Sequence, residues 1–177
     1  MKRRWLIWGL LAALAVGAFV GTNAFLNSPT YALYQIGRAI HNRDPGLFIT
    51  YVDIDRIYHT QRGTMVDMVL AGKKHRDTRR TVKGILTAMA PQLLTQLRRR
   101  VILWVADPQR DNIPSSWTLV AAAHIKRRDN FALVVLSNPA KHQRLRLGMQ
   151  RREGKPWRVV EVDPRDLKRL LAGRLGL

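Results

Sequence analysis

The stretch SPTYALYQIGRAIHNRDPGLFITYVDIDRI, residues 28–57, carries two helix starts in quick succession. Ser28-Pro29 sets a hydroxyl N-cap before a proline at the first helical position, where a missing N–H costs no hydrogen bond. Leu33, Ile36, Gly37 and Ile40 then recur on one helical face. Asn42-Arg43-Asp44 makes a short turn. Asp44-Pro45 repeats the start signal for a second helix carrying Leu47, Phe48, Tyr51 and Val52. The two helices are expected to fold back on each other, with the rest of the chain packed on that hairpin. Asp53 or Asp55 is placed to cap a third helix running through Ile57, Tyr58, Met65, Val66, Met68, Val69 and Leu70.

Upstream, Lys2, Arg3 and Arg4 precede 22 residues without a charge, Trp5 to Leu26. At about 1.5 Å per residue this run spans roughly 33 Å, enough for one membrane-crossing helix. Trp5 and Trp8 fall where an interfacial aromatic belt would lie. The heavier positive flank comes first, so the N-terminus is expected in the cytoplasm and the remainder outside it. A cleaved signal peptide is the competing reading. The apolar run is long for that, and Thr22-Asn23-Ala24 is a mediocre cleavage site, so an uncleaved anchor is preferred. The expected division is an anchor over 1–27 and a basic α+β domain over 28–177 in the periplasmic, extracytoplasmic space, tethered to the cytoplasmic membrane. Gly17 and Gly21 form a small-xxx-small pair that would let two anchors approach as a homodimer.

Downstream, GKKHRDTRR (72–80) reads as a solvated basic joint. A fourth helix follows with Val82, Ile85, Leu86, Met89, Leu93, Leu94 and Leu97 at helical spacing, kinked or split at Pro91. Val101 to Val105 either closes that helix or starts a strand. Asp107 to Ser116 is a loop. Strands are expected over Trp117–Ile125 and Phe131–Ser137, joined by a polar turn at Lys126–Asn130. Gln143–Arg152 alternates Leu145, Leu147 and Met149 against Arg144, Arg146 and Gln150. A turn at Glu153-Gly154-Lys155-Pro156 leads to Trp157–Val162. Asp163-Pro164 opens a closing helix with Leu167, Leu170 and Leu171 inward. Helices first and then four strands with short links make an antiparallel meander with helices on one face.

The formal charge is +19, from 31 Lys and Arg against 12 Asp and Glu. Such a surface attracts nucleic acid, anionic lipid or an acidic envelope polymer. The expected location disfavours nucleic acid. The polyanion contacts nominated are Lys73, Lys74, Arg76, Arg79 and Arg80, with Arg98, Arg99 and Arg100. Plain solvated charge set by an Arg-rich composition is the competing reading. Cysteine is absent, which excludes disulfides, thiolate metal sites and a cysteine nucleophile. No phosphate-loop, dinucleotide-binding, nucleophile-elbow or zinc-protease motif is present. The Asp53-x-Asp55 pair suits helix capping better than cation binding. His124 reads as a core histidine rather than a base. No cofactor, metal or catalytic residue is nominated.

SPTYALYQIGRAIHNRDPGLFITYVDIDRI, VKGILTAMAPQLLTQL and QRLRLGMQRREGKPWRVVEVDP together resemble a family of short bacterial membrane-anchored proteins, domain of unknown function 2939 (DUF2939). Ala39, Asp44, Tyr51, Val52, Asp53, Trp157 and Pro164 carry the likeness. The family often has a proline two residues after the aspartate of its Tyr-Val-Asp element, and here that position is Asp55. The resemblance implies an architecture and a location, with no activity attached. A helix hairpin followed by a curved antiparallel sheet also resembles the NTF2-like or cystatin-like cone. If such a cone holds a pocket, its lining is expected from Tyr51, Asp53, Tyr58, Trp117, His124 and Trp157.

Overall fold

The computed structural model describes residues 18, 20–70, 84–85, 88–109, 115–138 and 143–166. Among the described residues the main elements follow in order: α1 (Pro29–His41), α2 (Pro45–Tyr51), α3 (Ile54–Leu70), α4 (Ala90–Ala106), α5 (Ser116–Ala121), β1 (Ala123–Arg128), β2 (Phe131–Asn138), β3 (Gln143–Gln150) and β4 (Arg158–Val162). The strands form one antiparallel sheet in the order β1-β2-β3-β4. The architecture is therefore α+β, with the expected meander.

The hairpin forms where its caps place it. Ser28 Oγ accepts the Tyr31 N–H at 3.1 Å, and Asp44 Oδ1 accepts the Leu47 N–H at 2.9 Å. Between them α1 ends in a Schellman turn: Asp44 N–H donates to Ala39 O at 2.8 Å and Arg43 N–H to Ile40 O at 3.3 Å. Arg43 occupies the left-handed position of that turn (φ 55°), where glycine is usual. Its guanidinium reaches Pro108 O at 2.8 Å, tying the end of α1 to the chain after α4.

One face of the sheet meets the hairpin. Ala132, Val134, Leu147, Met149 and Val159 point to that face and pack with Ala32, Leu33, Ile36, Ala39 and Phe48. Trp157 enters the same core and is 1% exposed. The ladder slips one residue at Gly148/Met149, so Val160 is left unpaired and β4 bends there.

The expectations for residues 116–130 are corrected. Residues 116–121 are helical, not the start of a strand. Ser115 caps them, its Oγ accepting the Thr118 N–H at 3.3 Å, and α5 lies against α1. The strand begins only at Ala123. The β1–β2 turn is Asp129-Asn130 alone, with Asp129 left-handed (φ 49°), so Lys126, Arg127 and Arg128 belong to β1. The helix expected over this stretch is split at Pro91: residues 84–85 and 88 are helical, Met89 is a turn, and α4 starts afresh with Pro91 in its first turn, where the missing N–H is harmless, and runs on through Val101–Val105. His124 is exposed rather than in the core, because the register turns Ile125 inward.

Residues 20–26 are helical and exposed. Among the described residues no helix is long and apolar enough to cross a membrane. Most of the expected anchor, Gly17, the basic joint at 72–80 and Leu167, Leu170 and Leu171 lie outside the described residues.

Two helical glycines give opposite expectations. A Cβ on Gly37 would stand 2.8 Å from Ser116 Cα, a backbone atom that no rotamer change can move. Gly37→Ala should lower unfolding free energy by roughly 1 kcal/mol, an overpacking loss only partly offset by better helix propensity. A Cβ on exposed Gly63 in α3 meets nothing within 4 Å. Gly63→Ala should raise stability by up to about 1 kcal/mol. Denaturant unfolding of both variants checks the pair. Equal shifts would contradict the close α1–α5 contact.

Candidate functional site

Tyr51-Val52-Asp53 is the link between α2 and α3, and it lies along the edge of the sheet. Val52 makes a parallel bridge with Val159, and the Asp53 N–H donates to Val159 O at 2.9 Å. The Asp53 side chain then does two things. Its Oδ1 accepts the Arg56 N–H at 3.1 Å, capping α3, and its Oδ2 faces Arg158 Nη1 at 3.3 Å. Arg158 also donates through Nη2 to Ile49 O at 3.0 Å. One arginine on β4 thus holds both the end of α2 and the start of α3.

This junction borders a shallow open recess with room for about one water, lined by Asp53, Arg56, Gln150, Arg152, Lys155 and Arg158 with Pro156 and Val160. Four cations face one carboxylate there. Gln150 Oε1 and Arg158 Nε are both buried and make no hydrogen bond. The two residues are cross-strand partners, so an unused acceptor and an unused donor sit side by side at the end of the β3–β4 ladder. By charge the recess attracts anions.

The same end of the sheet receives the chain from its N-terminal segment. Trp157 Nε1 donates to Asn27 O at 2.9 Å, and Arg151 Nη2 to Asn27 Oδ1 at 3.1 Å. The Arg127 guanidinium lies 5.3 Å from the centre of the Trp157 ring. Arg151 N–H donates to Asn130 O at 2.9 Å, joining the β1–β2 and β3–β4 turns. Lys126–Arg128 and Arg151–Lys155 are separate runs in the chain, and the meander brings them together.

The six nominated pocket residues are not gathered into one cavity. Asp53 lines the recess, and the other five are not among its lining residues. Trp157 and Tyr58 are buried, while Tyr51 is half-buried against the core. Trp117 is 59% exposed on α5, its ring 4.9 Å from that of Tyr34. His124 points to solvent from β1. Of the nominated polyanion contacts, Lys73, Lys74, Arg76, Arg79 and Arg80 lie outside the described residues. Arg98 pairs with Asp55 at 2.6 Å, and Arg99 and Arg100 are exposed on α4. Among the described residues no three His, Asp or Glu side chains are grouped to hold a metal ion. Arg56, Gln150 and Arg158 were not nominated from sequence.

A second ion-paired junction closes the described chain. Asp166, 1% exposed, accepts from the Arg146 backbone N–H and Nε, each at 3.0 Å. Asp163 adds a contact at 3.4 Å. The hydrogen bond to Asp166 and the two carboxylate charges hold the Arg146 pKa up, so this cation is fixed in its charged state.

Residues 14–103 match the family model described as Protein of unknown function (DUF2939). The match covers just over half of the chain, and the chain belongs to that family. It takes in the hairpin, the Tyr-Val-Asp link and most of α4, and ends before the sheet, so Trp157 and Pro164 lie beyond it. No curated protein and no solved structure is matched by the chain.

Two predictions rest on this geometry. Asp53→Ala removes both the cap of α3 and the pair with Arg158, and should cost about 1–2 kcal/mol in denaturant unfolding. Asp53→Asn keeps a capping oxygen and should cost roughly half of that or less. Equal losses would mean that the charge pair, not the cap, is the main contribution. Separately, burial, and after it the neighbouring Tyr31, raises the Tyr51 pKa above its ordinary 10.0. The folded chain then holds this proton more tightly than the unfolded chain. The resulting stability is complete below the unfolded value and is lost as pH rises through the folded one. Tyr51→Phe should flatten the alkaline limb of a stability–pH curve. An unchanged slope would contradict the assignment.

Proposed function

We propose that the chain is a single-pass membrane protein whose body, on the non-cytoplasmic side, is a non-catalytic binding or assembly domain. One observation carries this reading. The helical end at 20–26 exposes Val20, Phe25 and Leu26, and Phe25 meets the body only edge-on at the Tyr31 ring among the described residues. Immediately after it, Asn27 is clamped to the body through Trp157 and Arg151. An apolar helix that stays largely outside the core, followed at once by a residue fixed to the domain, suits a tether.

The non-catalytic reading is preferred to an NTF2-like pocket enzyme because of what fills the helix-facing side of the sheet. Leu33, Phe48, Val134, Met149 and Trp157 pack there with no convergent acid or histidine among them. The cationic recess favours an anionic ligand over a neutral one. A body outside the cytoplasm also disfavours nucleic acid as that ligand.

A C-terminal reporter fusion combined with alkaline extraction tests this reading. The expected result is a chain retained in the membrane pellet, with the reporter active only on the outer side. Cytoplasmic reporter activity, or recovery of a freely soluble chain beginning near Phe25, would overturn it.

A further inference from the structure

We propose that the turn end of the sheet is a docking face for the phosphate headgroups of anionic lipids in the membrane that holds the N-terminal segment. The inference rests on the tethered reading above and specifies what the tethered body touches. Arg127, Arg128, Arg151, Arg152 and Lys155 gather at this end, against Asp129 and Glu153. All but Arg151 are exposed. The recess beside them adds Arg56 and Arg158 against Asp53.

Position selects the partner. Asn27, the residue that joins the helical end to the body, is bonded to Arg151 and Trp157 within this same cluster. A chain leaving the bilayer at 20–26 therefore brings these cations to the headgroup layer. There is no length of linker to hold them beyond a Debye length, about 8 Å at physiological salt. Cations next to a negatively charged leaflet are attracted additively, so a surface with a net excess of them is drawn to headgroups without a deep pocket. A headgroup phosphate at this surface would meet the exposed Arg152 and Lys155 at the rim of the shallow recess rather than enter it.

The chain has no cysteine, so single introduced thiols report cleanly on contact. Full-length Glu153→Cys and Gln109→Cys are placed in nanodiscs of phosphatidylcholine alone, or of phosphatidylcholine mixed with phosphatidylglycerol. Gln109 follows Pro108, which Arg43 holds at the end of α1 away from Asn27. The rate of maleimide labelling is read in each case. The expected result is slower labelling at position 153 in the anionic discs only, reversed by high salt, with no change at position 109. Adding Arg152→Gln and Lys155→Gln should weaken the protected state by roughly 30-fold. Arg38→Gln with Arg144→Gln, which removes the same charge from exposed sites elsewhere, should leave protection intact. Unfolding midpoints of both double variants check that the fold is retained.

Equal labelling at 153 in both disc types, with the chain incorporated, overturns the docking face and leaves the tether standing. Failure of the chain to incorporate into either disc overturns the tether and the docking face together. Protection that appears in zwitterionic discs only on adding a soluble polyphosphate assigns the face to a polymer instead, and also overturns the lipid assignment.

Discussion

The hydrogen bond from the Asp53 N–H to Val159 O, with the Val52–Val159 bridge beside it, is the join on which the two halves depend. The helices come first in the chain and the strands last, so nothing local holds them together. Apolar packing between α1 and the sheet supplies most of the driving force, but it is not directional. The Val52–Asp53 bridge sets the register. It places the start of α3 against β4, where Gln61 reaches Val162 O and Arg158 reaches both Asp53 and Ile49. Shifting this edge by one residue would turn Val159 out of the core.

Much of the helical half was legible because its signals are local. Ser28-Pro29 and Asp44-Pro45 state where helices begin, and their side chains make the capping bonds that the residue types imply. Asp53 caps α3 in the same way. Asp55 falls in the first turn of α3. A proline is tolerated at that position, and here a carboxylate reaches across to Arg98 on α4 instead. The alternation of β3 was also legible, since Leu147 and Met149 face the core as their spacing requires.

The remainder depends on contacts between distant residues. Trp117 to Ala121 has the composition of a strand, but the Ser115 cap and the space opposite Gly37 make it a helix. The orientation of His124 follows from pairing with Val135, which no local pattern specifies. The recess joins α3, β3, the β3–β4 turn and β4, residues that lie about a hundred positions apart. Its shape depends on the bulge at Val160. The cationic runs 126–128 and 151–155 look scattered along the chain, and only an antiparallel meander of this register sets them at one end. That convergence, at the residue where the N-terminal segment enters the body, is what gives the positive charge a direction.

Amide hydrogen exchange at Asp53 in the full-length protein tests most directly whether the two halves form one unit. If the bridge locks the helices to the sheet, the Asp53 amide exchanges as slowly as the central amides of β3, both opening only with global unfolding. Rapid exchange at Asp53 beside a protected β3 would show the helical half opening independently, and would contradict a single body rigidly carried from Asn27.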